Sequence, residues 1–130
     1  MQRSSKIMKP KVYYIAGPMS GYPEFNFPAF YKAAEMFQRH GYRTYNPANK
    51  ELENHVAVDN NMEDGDRDGL MADGFDFRAT FTWDCIHVIK ANGIYMLSGW
   101  EKSHGARAEH AVAVAMQACY PEYQIMYEEG

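Results

Sequence analysis

Residues 12–21 read VYYIAGPMSG, a β-branched and aromatic run that passes directly into a glycine- and proline-rich segment. The first half is typical of a buried strand, and the second half is typical of a tight loop. Asn26 and Pro28 then carry helix-start signals, and apolar residues recur at helical spacing as far as Phe37, before a stop at Gly41. This part of the chain therefore predicts a strand, a loop and an amphipathic helix.

The same alternation continues along the chain. We predict a second strand at 42–45, a helix at 77–91, a third strand at 93–97, a helix at 106–118 and a last strand at 123–126. Alternating strands and helices predict an α/β fold in which helices flank a mostly parallel sheet. Ligands bind such sheets at the carboxyl ends of the strands. The two glycine-containing loops at those ends, 17–21 and 98–105, are therefore the predicted site.

Length and composition fit one domain. The chain has 130 residues and is 46% apolar, which suits a single core. We expect an N-terminal tail at 1–10 and one domain at 11–130. Within that domain the acidic stretch 50–76 is expected to be a surface loop or lid. It does not predict a calcium loop, because it lacks the Glu that ends the EF-hand pattern.

Several classes of function are disfavoured. The 13 Lys and Arg residues are scattered and the net charge is −4, so we expect no nucleic-acid polymer as partner. No uninterrupted apolar run reaches roughly 18 residues and no signal-peptide pattern opens the chain, so we expect a cytoplasmic protein without membrane contact. Cys85 and Cys119 lie far apart and are expected to be reduced. Since the histidines also lack ligand spacing, we expect neither a metal nor another cofactor.

The loop at 98–105 leads into a helix that carries an acidic residue near its start. Ser103 and Gly105 lie where unpaired N–H groups and the helix dipole favour an anion. Ser103 could equally be an ordinary N-cap, and Glu109 could be no more than a partner of the dipole. Small neighbours such as Ala106 and Ala108 would let a ligand approach Glu109 closely. The residues alone leave these interpretations open.

Three segments together resemble the nucleoside 2-deoxyribosyltransferase superfamily. They are Tyr14-Ile15-Ala16-Gly17-Pro18, Asp84, and Ser103-x-Gly105-x-x-x-Glu109. The chain also resembles a group of small phage and bacterial proteins within it, whose pattern reads YIAGPMSG…NFPAF…NPA…LPGWEKSxGAxxE. The resemblance covers most of 12–115 and implies a flavodoxin-like parallel sheet.

The resemblance also implies a double displacement at the anomeric carbon of a nucleoside. Glu109 would attack C1′ and form a glycosyl ester, while Asp84 would act as general acid and base. Tyr14 would hold the Glu109 carboxylate through its hydroxyl. If the register around Asp84 differs from that of the relatives, Asp76 or Asp73 becomes the candidate.

The position six residues before the nucleophile separates two branches of the superfamily. It is typically Asp in the nucleoside transferases and Ser in the nucleoside 5′-monophosphate hydrolases, and here it is Ser103. A hydroxyl beside helix amides would bind a phosphate that a carboxylate would repel. Gly17, Ser20 and Gly21 of the first loop are further candidates for substrate binding. Trp100 is a candidate wall on which a base could stack.

Our first expectation is an N-glycosidase that hydrolyses the base–sugar bond of a (deoxy)nucleoside 5′-monophosphate. The alternatives are a nucleoside 2-deoxyribosyltransferase that exchanges bases and a non-catalytic nucleotide-binding module. In each case the partner is a small-molecule nucleotide or nucleoside. By resemblance, the chain is expected to form a homodimer or a higher homo-oligomer.

Overall fold

The computed structural model describes residues 9–51 and 61–129. The strands are β1 (Val12–Ala16), β2 (Arg43–Tyr45), β3 (Gly93–Met96) and β4 (Gln124–Tyr127). The helices are α1 (Phe27–Arg39), α2 (Pro47–Glu51), α3 (Arg67–Ala72), α4 (Phe77–Lys90) and α5 (His104–Cys119). Short turns lie at Pro23–Asn26 and Trp100–Lys102. Within the described part, no helix is long and apolar enough to cross a membrane.

The four strands form one sheet in the order β2-β1-β3-β4, and every neighbouring pair is parallel. Tyr14 in β1 lies beside Tyr45 on one side and Ile94 on the other. Because all strands run the same way, their carboxyl ends meet at a single edge. The predicted α/β class is confirmed: a single domain with a four-stranded parallel sheet flanked by helices, consistent with a flavodoxin-like fold.

Successive side chains of β1 enter two different cores, because side chains alternate across a strand. Ile15 packs with Phe30 and the other apolar residues of α1. Tyr14 and Ala16 pack on the other face with Val88 of α4 and Ala113 of α5. The sheet is therefore covered on both faces, and the side of Tyr14 is the side of α4 and α5.

The starts of the helices follow the predicted signals, with one difference. Ser103 Oγ accepts a hydrogen bond from the Ala106 amide at 3.1 Å and caps α5. Asn26 does precede α1, but it adopts a left-handed φ of 61° and makes no side-chain cap. Its Nδ2 instead donates to the Pro18 carbonyl at 2.9 Å. Asn26 thus marks the helix start while its side chain holds the loop after β1.

The acidic stretch 50–76 differs from the expected loop or lid. Residues 67–72 form α3, and the residues before it are docked on the first loop. The Gly21 amide donates to the Gly65 carbonyl at 2.8 Å, and the Glu24 amide donates to the Met62 carbonyl at 2.5 Å. A Cβ at Gly65 would lie 2.2 Å from the Tyr22 carbonyl oxygen, so this close approach requires glycine.

Within 61–76 the structure therefore has a docked segment and a short helix where a surface loop or lid was expected, because backbone contacts between distant segments leave no periodic pattern in the sequence. The part of that prediction that falls on 52–60 lies outside the described residues. The predicted tail at 1–10 is described only at its last two positions, since 1–8 lie outside the described residues as well.

Candidate active site

A cavity of about 650 Å³ opens at the carboxyl edge of the sheet. Its walls are the loop after β1, the first turns of α4 and the start of α5, including residues 17–20 and 102–106. Pockets for small molecules commonly measure about 300–1,000 Å³. The cavity is thus of a size for a small molecule, and it lies where a parallel sheet places its ligands.

Glu109 lines this cavity from α5, although only 5% of the residue is exposed. The fully buried Tyr14 of β1 donates its hydroxyl hydrogen to Glu109 Oε2 at 2.9 Å. A buried carboxylate needs such donors, because burial removes its hydration. The predicted contact between Tyr14 and Glu109 is therefore present, and it results from the side-chain alternation that points Tyr14 towards α5.

Asp84 lines the same cavity from α4 and is 9% exposed. The pKa of Tyr14 is raised well above its usual value, first by burial and then by the charges of Glu109 and Asp84. Hydrogen bonding of the phenol with the carboxyl groups of Glu109 and Asp84, which act as acceptors, raises this pKa further. Tyr14 therefore stays protonated at neutral pH, as a donor beside two buried acids.

The thiol of Cys85 lies in the same negative electrostatic field of Glu109 and Asp84. Burial raises the pKa of its thiol, and the charges of Glu109 and Asp84 raise it further. A reactive cysteine instead needs a lowered pKa, so Cys85 is unsuited to be a nucleophile. A negative field of this kind favours a positive charge that develops during a reaction.

The two alternative acids have other partners. Asp76 Oδ1 accepts from the Ala79 amide at 3.0 Å and caps α4. Asp73 Oδ2 accepts from the Asn61 side-chain amide at 2.9 Å. Neither is among the residues that line the cavity in the described part of the chain. The structure thus brings Asp84, and not Asp73 or Asp76, to Glu109.

The start of α5 forms the polar wall of the cavity, as predicted for Ser103 and Gly105. Ser103 Oγ is engaged as the helix cap, but as an acceptor, so its own hydrogen is available for donation. A Cβ at Gly105 would meet no atom within 4 Å, because open space lies beside it. Lys102 and His104 flank these two residues at the cavity.

Of the three residues of the first loop that were predicted to bind substrate, two line the cavity and one does not. Gly17 and Ser20 line the cavity, and a Cβ at Gly17 would lie 2.7 Å from Leu97 Cβ. Gly21 is not among the lining residues of the described chain, and its amide is already bonded to Gly65. The prediction that Gly21 binds substrate is not supported, because docking of the acidic stretch uses its donor.

Trp100 is also displaced from the predicted site. Its ring packs on His110 with centroids 4.3 Å apart and lies 6.0 Å from the ring of Tyr127. It is not among the described residues that line the cavity. The loop that carries Trp100 turns its ring towards α5 and β4, so the structure does not place it as a wall for the base.

Several cavity residues were missed by the sequence analysis, namely Arg67, Lys102, Phe77, Thr80 and Phe81. Phe77, Thr80 and Phe81 lie at helical spacing from Asp84, and this spacing could have identified them. Arg67 could not have been found in this way. It reaches the cavity because α3 packs near α4, with its guanidinium 5.1 Å from the ring centroid of Phe77.

The fold and cavity define an α/β protein with a cavity at the carboxyl edge of its sheet, lined by the two buried acids Asp84 and Glu109. In residues 9–51 and 61–129, no cluster of three or more His, Cys, Asp or Glu could hold a metal ion. A family model described as a domain of unknown function, DUF4406, matches residues 11–120. The chain belongs to that family. Comparisons with curated proteins and with solved structures give no match.

Proposed function

We propose that the protein is an N-glycosidase of the nucleoside 2-deoxyribosyltransferase-like type that hydrolyses (deoxy)nucleoside 5′-monophosphates. The observation that carries the proposal is the buried hydrogen bond from Tyr14 to Glu109, 2.9 Å long, beside Asp84 in a nucleotide-sized cavity. Two carboxylates at one cavity are what cleavage of a glycosidic bond by double displacement requires.

In the first step Glu109 attacks C1′ and the C1′–N bond breaks. The electron pair of that bond goes to the base, and Asp84 donates a proton to it. In the second step Asp84 takes a proton from water, and the resulting hydroxide attacks C1′ and displaces Glu109. The products are free base and (deoxy)ribose 5-phosphate, and both carboxyl groups return to their initial states.

The two acids must start in different protonation states, as in other carboxylate pairs of this kind. A hydrogen bond donated to a carboxylate stabilises its charged form, and Tyr14 donates such a bond to Glu109. This supports Glu109 as the ionised nucleophile. The double displacement needs a proton donor as its second acid, and the proposal assigns that role to Asp84 on the facing helix.

The start of α5 supports a phosphate on the substrate. Lys102, Ser103 and Gly105 line the cavity there, and an ammonium, a hydroxyl and a helix-terminal amide are each suitable partners for a phosphate oxygen. In residues 9–51 and 61–129, the one ion pair joins Arg39 to Glu35. The charge of Lys102 is therefore not neutralised by a described carboxylate.

The test is incubation with a panel of nucleosides and nucleoside 5′-monophosphates, followed by chromatography for free base. We expect release from monophosphates and none from nucleosides. Exchange of bases between two nucleosides would identify a transferase instead. Tight binding of nucleotides without release of base would identify a non-catalytic binding module.

An assembly of two or more chains is part of the proposal. The outer face of α4 exposes Ile86 and Ile89 by 44% and 49%, and Val114 of α5 is 48% exposed. Exposed apolar patches often mark sites of protein–protein contact, which supports such a contact on this face. Light scattering after size-exclusion chromatography should give at least twice the mass of one chain, and a monomeric mass would contradict it.

A further inference from the structure

One face of α4 is directed at the cavity along two helical turns. Phe77, Thr80, Phe81 and Asp84 all line it. Their spacing of three, four and seven residues places them on a single side of the helix. With a rise of 1.5 Å per residue, this stripe is roughly 10 Å long. It ends at the proposed proton donor, Asp84.

Thr80 is a polar residue on that stripe whose hydroxyl makes no hydrogen bond with another residue in the described part of the chain. It is 8% exposed and lines the cavity, and the hydrogen bonds recorded among residues 9–51 and 61–129 include none from its side chain. Thr82, on another side of the same helix, instead donates its hydroxyl to the Arg78 carbonyl at 2.7 Å. Because Thr80 lines the cavity, its hydroxyl can form a hydrogen bond with a ligand there.

Phe81 offers the flat surface beside it. The Phe77 ring is already in contact with the Arg67 guanidinium, and its centroid lies 4.7 Å from that of Phe75. Phe81 is 38% exposed and has no such ring contact in the described part of the chain. An exposed aromatic face in a cavity is a platform on which a heterocycle stacks.

We propose that this face of α4 is the base subsite, an inference that rests on the proposed N-glycosidase function. The base stacks on Phe81, its edge bonds the Thr80 hydroxyl, and its departing nitrogen faces Asp84. Asp84 has to reach that nitrogen to protonate it. The base therefore lies along α4, and the neighbouring turn of α4 presents Thr80 and Phe81.

The assignment also orients the substrate. The phosphate lies at the start of α5 and the base lies along α4, so C1′ falls between Glu109 and Asp84. Since Thr80 has a single hydroxyl that can donate or accept, it reads one position on the edge of the base. In this proposal the base stacks on Phe81, and not on Trp100 as the sequence predicted.

Binding measurements can test the subsite without turnover. In a Glu109→Gln background, calorimetry would measure the dissociation constants of purine and pyrimidine 2′-deoxynucleoside 5′-monophosphates and of 2-deoxyribose 5-phosphate, which has no base. Thr80→Val should weaken the preferred nucleotide about tenfold. Phe81→Ala should weaken nucleotides roughly five- to a hundredfold. Neither substitution should alter binding of the sugar phosphate.

A matched control lies on the same helix. Thr82→Val removes a hydroxyl that is bonded to the Arg78 carbonyl on another side of the helix, and it should bind nucleotides like the background. Phe81→Leu keeps the apolar volume and loses the flat ring, so it replaces Phe81→Ala if that variant does not fold. It should show the same selective loss.

The outcomes separate this inference from the proposed function. Unchanged nucleotide binding in both the Thr80 and the Phe81 variants would overturn the subsite, even if the parent releases base. Equal weakening of the sugar phosphate would overturn it as well. If the parent releases no base yet nucleotides bind with this dependence, the subsite stands and the glycosidase proposal fails. If no nucleotide binds to the background, both fail.

Discussion

Glu109 is buried and also lines the cavity, so its carboxyl group is shielded from bulk water and can still meet a ligand. Glu109→Ala should abolish release of base from nucleoside monophosphates, lowering kcat by at least about a thousandfold, since covalent catalysis depends on this carboxylate. Nucleotide binding and the circular dichroism spectrum should be retained. A variant that turns over near the parent rate would remove Glu109 from the role of nucleophile.

Tyr14 can be tested by removing its hydroxyl alone. Tyr14→Phe leaves the buried Glu109 carboxylate without one donor, which should cost about 1–3 kcal/mol of unfolding free energy. It should also lower kcat, because the carboxylate loses the bond that orients it. Urea denaturation and initial rates measure the two effects.

Tyr123→Phe is the matched control for that substitution. Its hydroxyl donates to the Val88 carbonyl at 2.7 Å, and it is not among the described cavity residues. It should lose stability to a comparable degree and keep its rate. If both variants lose activity in proportion to stability, Tyr14 has a structural role only.

Some residues of the site could be predicted and others could not. The roles of Tyr14 and Glu109 were predicted from the resemblance of their segments to a known superfamily, because the residues alone left the role of Glu109 open. Gly21 and Trp100 were misplaced since their surroundings come from segments far away in sequence. Gly21 is engaged by Gly65, and Trp100 is packed against Tyr127.

At the scale of the elements, the start of α5 combines a structural and a binding function in Ser103. Ser103→Ala removes the N-cap and should cost about 0.5–2 kcal/mol of unfolding free energy. Ser103→Asp keeps a capping acceptor for the Ala106 amide and suits the helix dipole, but it places a negative charge beside the phosphate.

These two variants should therefore separate stability from substrate choice. Ser103→Asp should match the parent in thermal denaturation and raise KM for nucleoside monophosphates at least about tenfold. Ser103→Ala should lose stability with a smaller change in KM. If Ser103→Asp leaves KM unchanged, the phosphate does not bind at the start of α5.

The boundaries of the main elements were predictable, since glycine, proline and capping residues mark them locally. β1 runs from Val12 to Ala16 as predicted, and α4 and β3 differ from the prediction by one residue at one end. α3 was not predicted because its six residues are too few to show a clear helical period. Its position follows from the docking of Met62 and Gly65 on the first loop.

At the scale of the whole molecule, both cores of the sheet contain tyrosines that are hard to ionise. Burial is the largest cause of the raised pKa in each case, and the residues are Tyr13, Tyr14, Tyr95 and Tyr123. Nearby acids contribute at Tyr14 and Tyr95. The folded chain therefore holds these phenolic protons more tightly than the unfolded chain, in which phenols titrate near the ordinary value of 10.0.

The sign of the resulting pH dependence follows from proton linkage. Below pH 10 both states keep the phenolic protons, so the stabilisation from these tyrosines is fully present. Above that pH the unfolded chain releases protons that the folded chain retains, and the free energy of unfolding falls. The Cys85 thiol, whose pKa is raised from 9.0, adds a smaller fall that begins about one pH unit earlier.

Urea denaturation across the alkaline range, with phenolate absorbance recorded in parallel, measures this dependence. The unfolding free energy should fall progressively above pH 10, and the buried phenols should ionise together with unfolding rather than before it. In a Tyr14→Phe/Tyr123→Phe double variant the fall should be shallower, because two of the linked protons are gone. An unchanged slope in that variant would show that alkaline unfolding has another origin, such as repulsion between carboxylates once the lysines lose their charge.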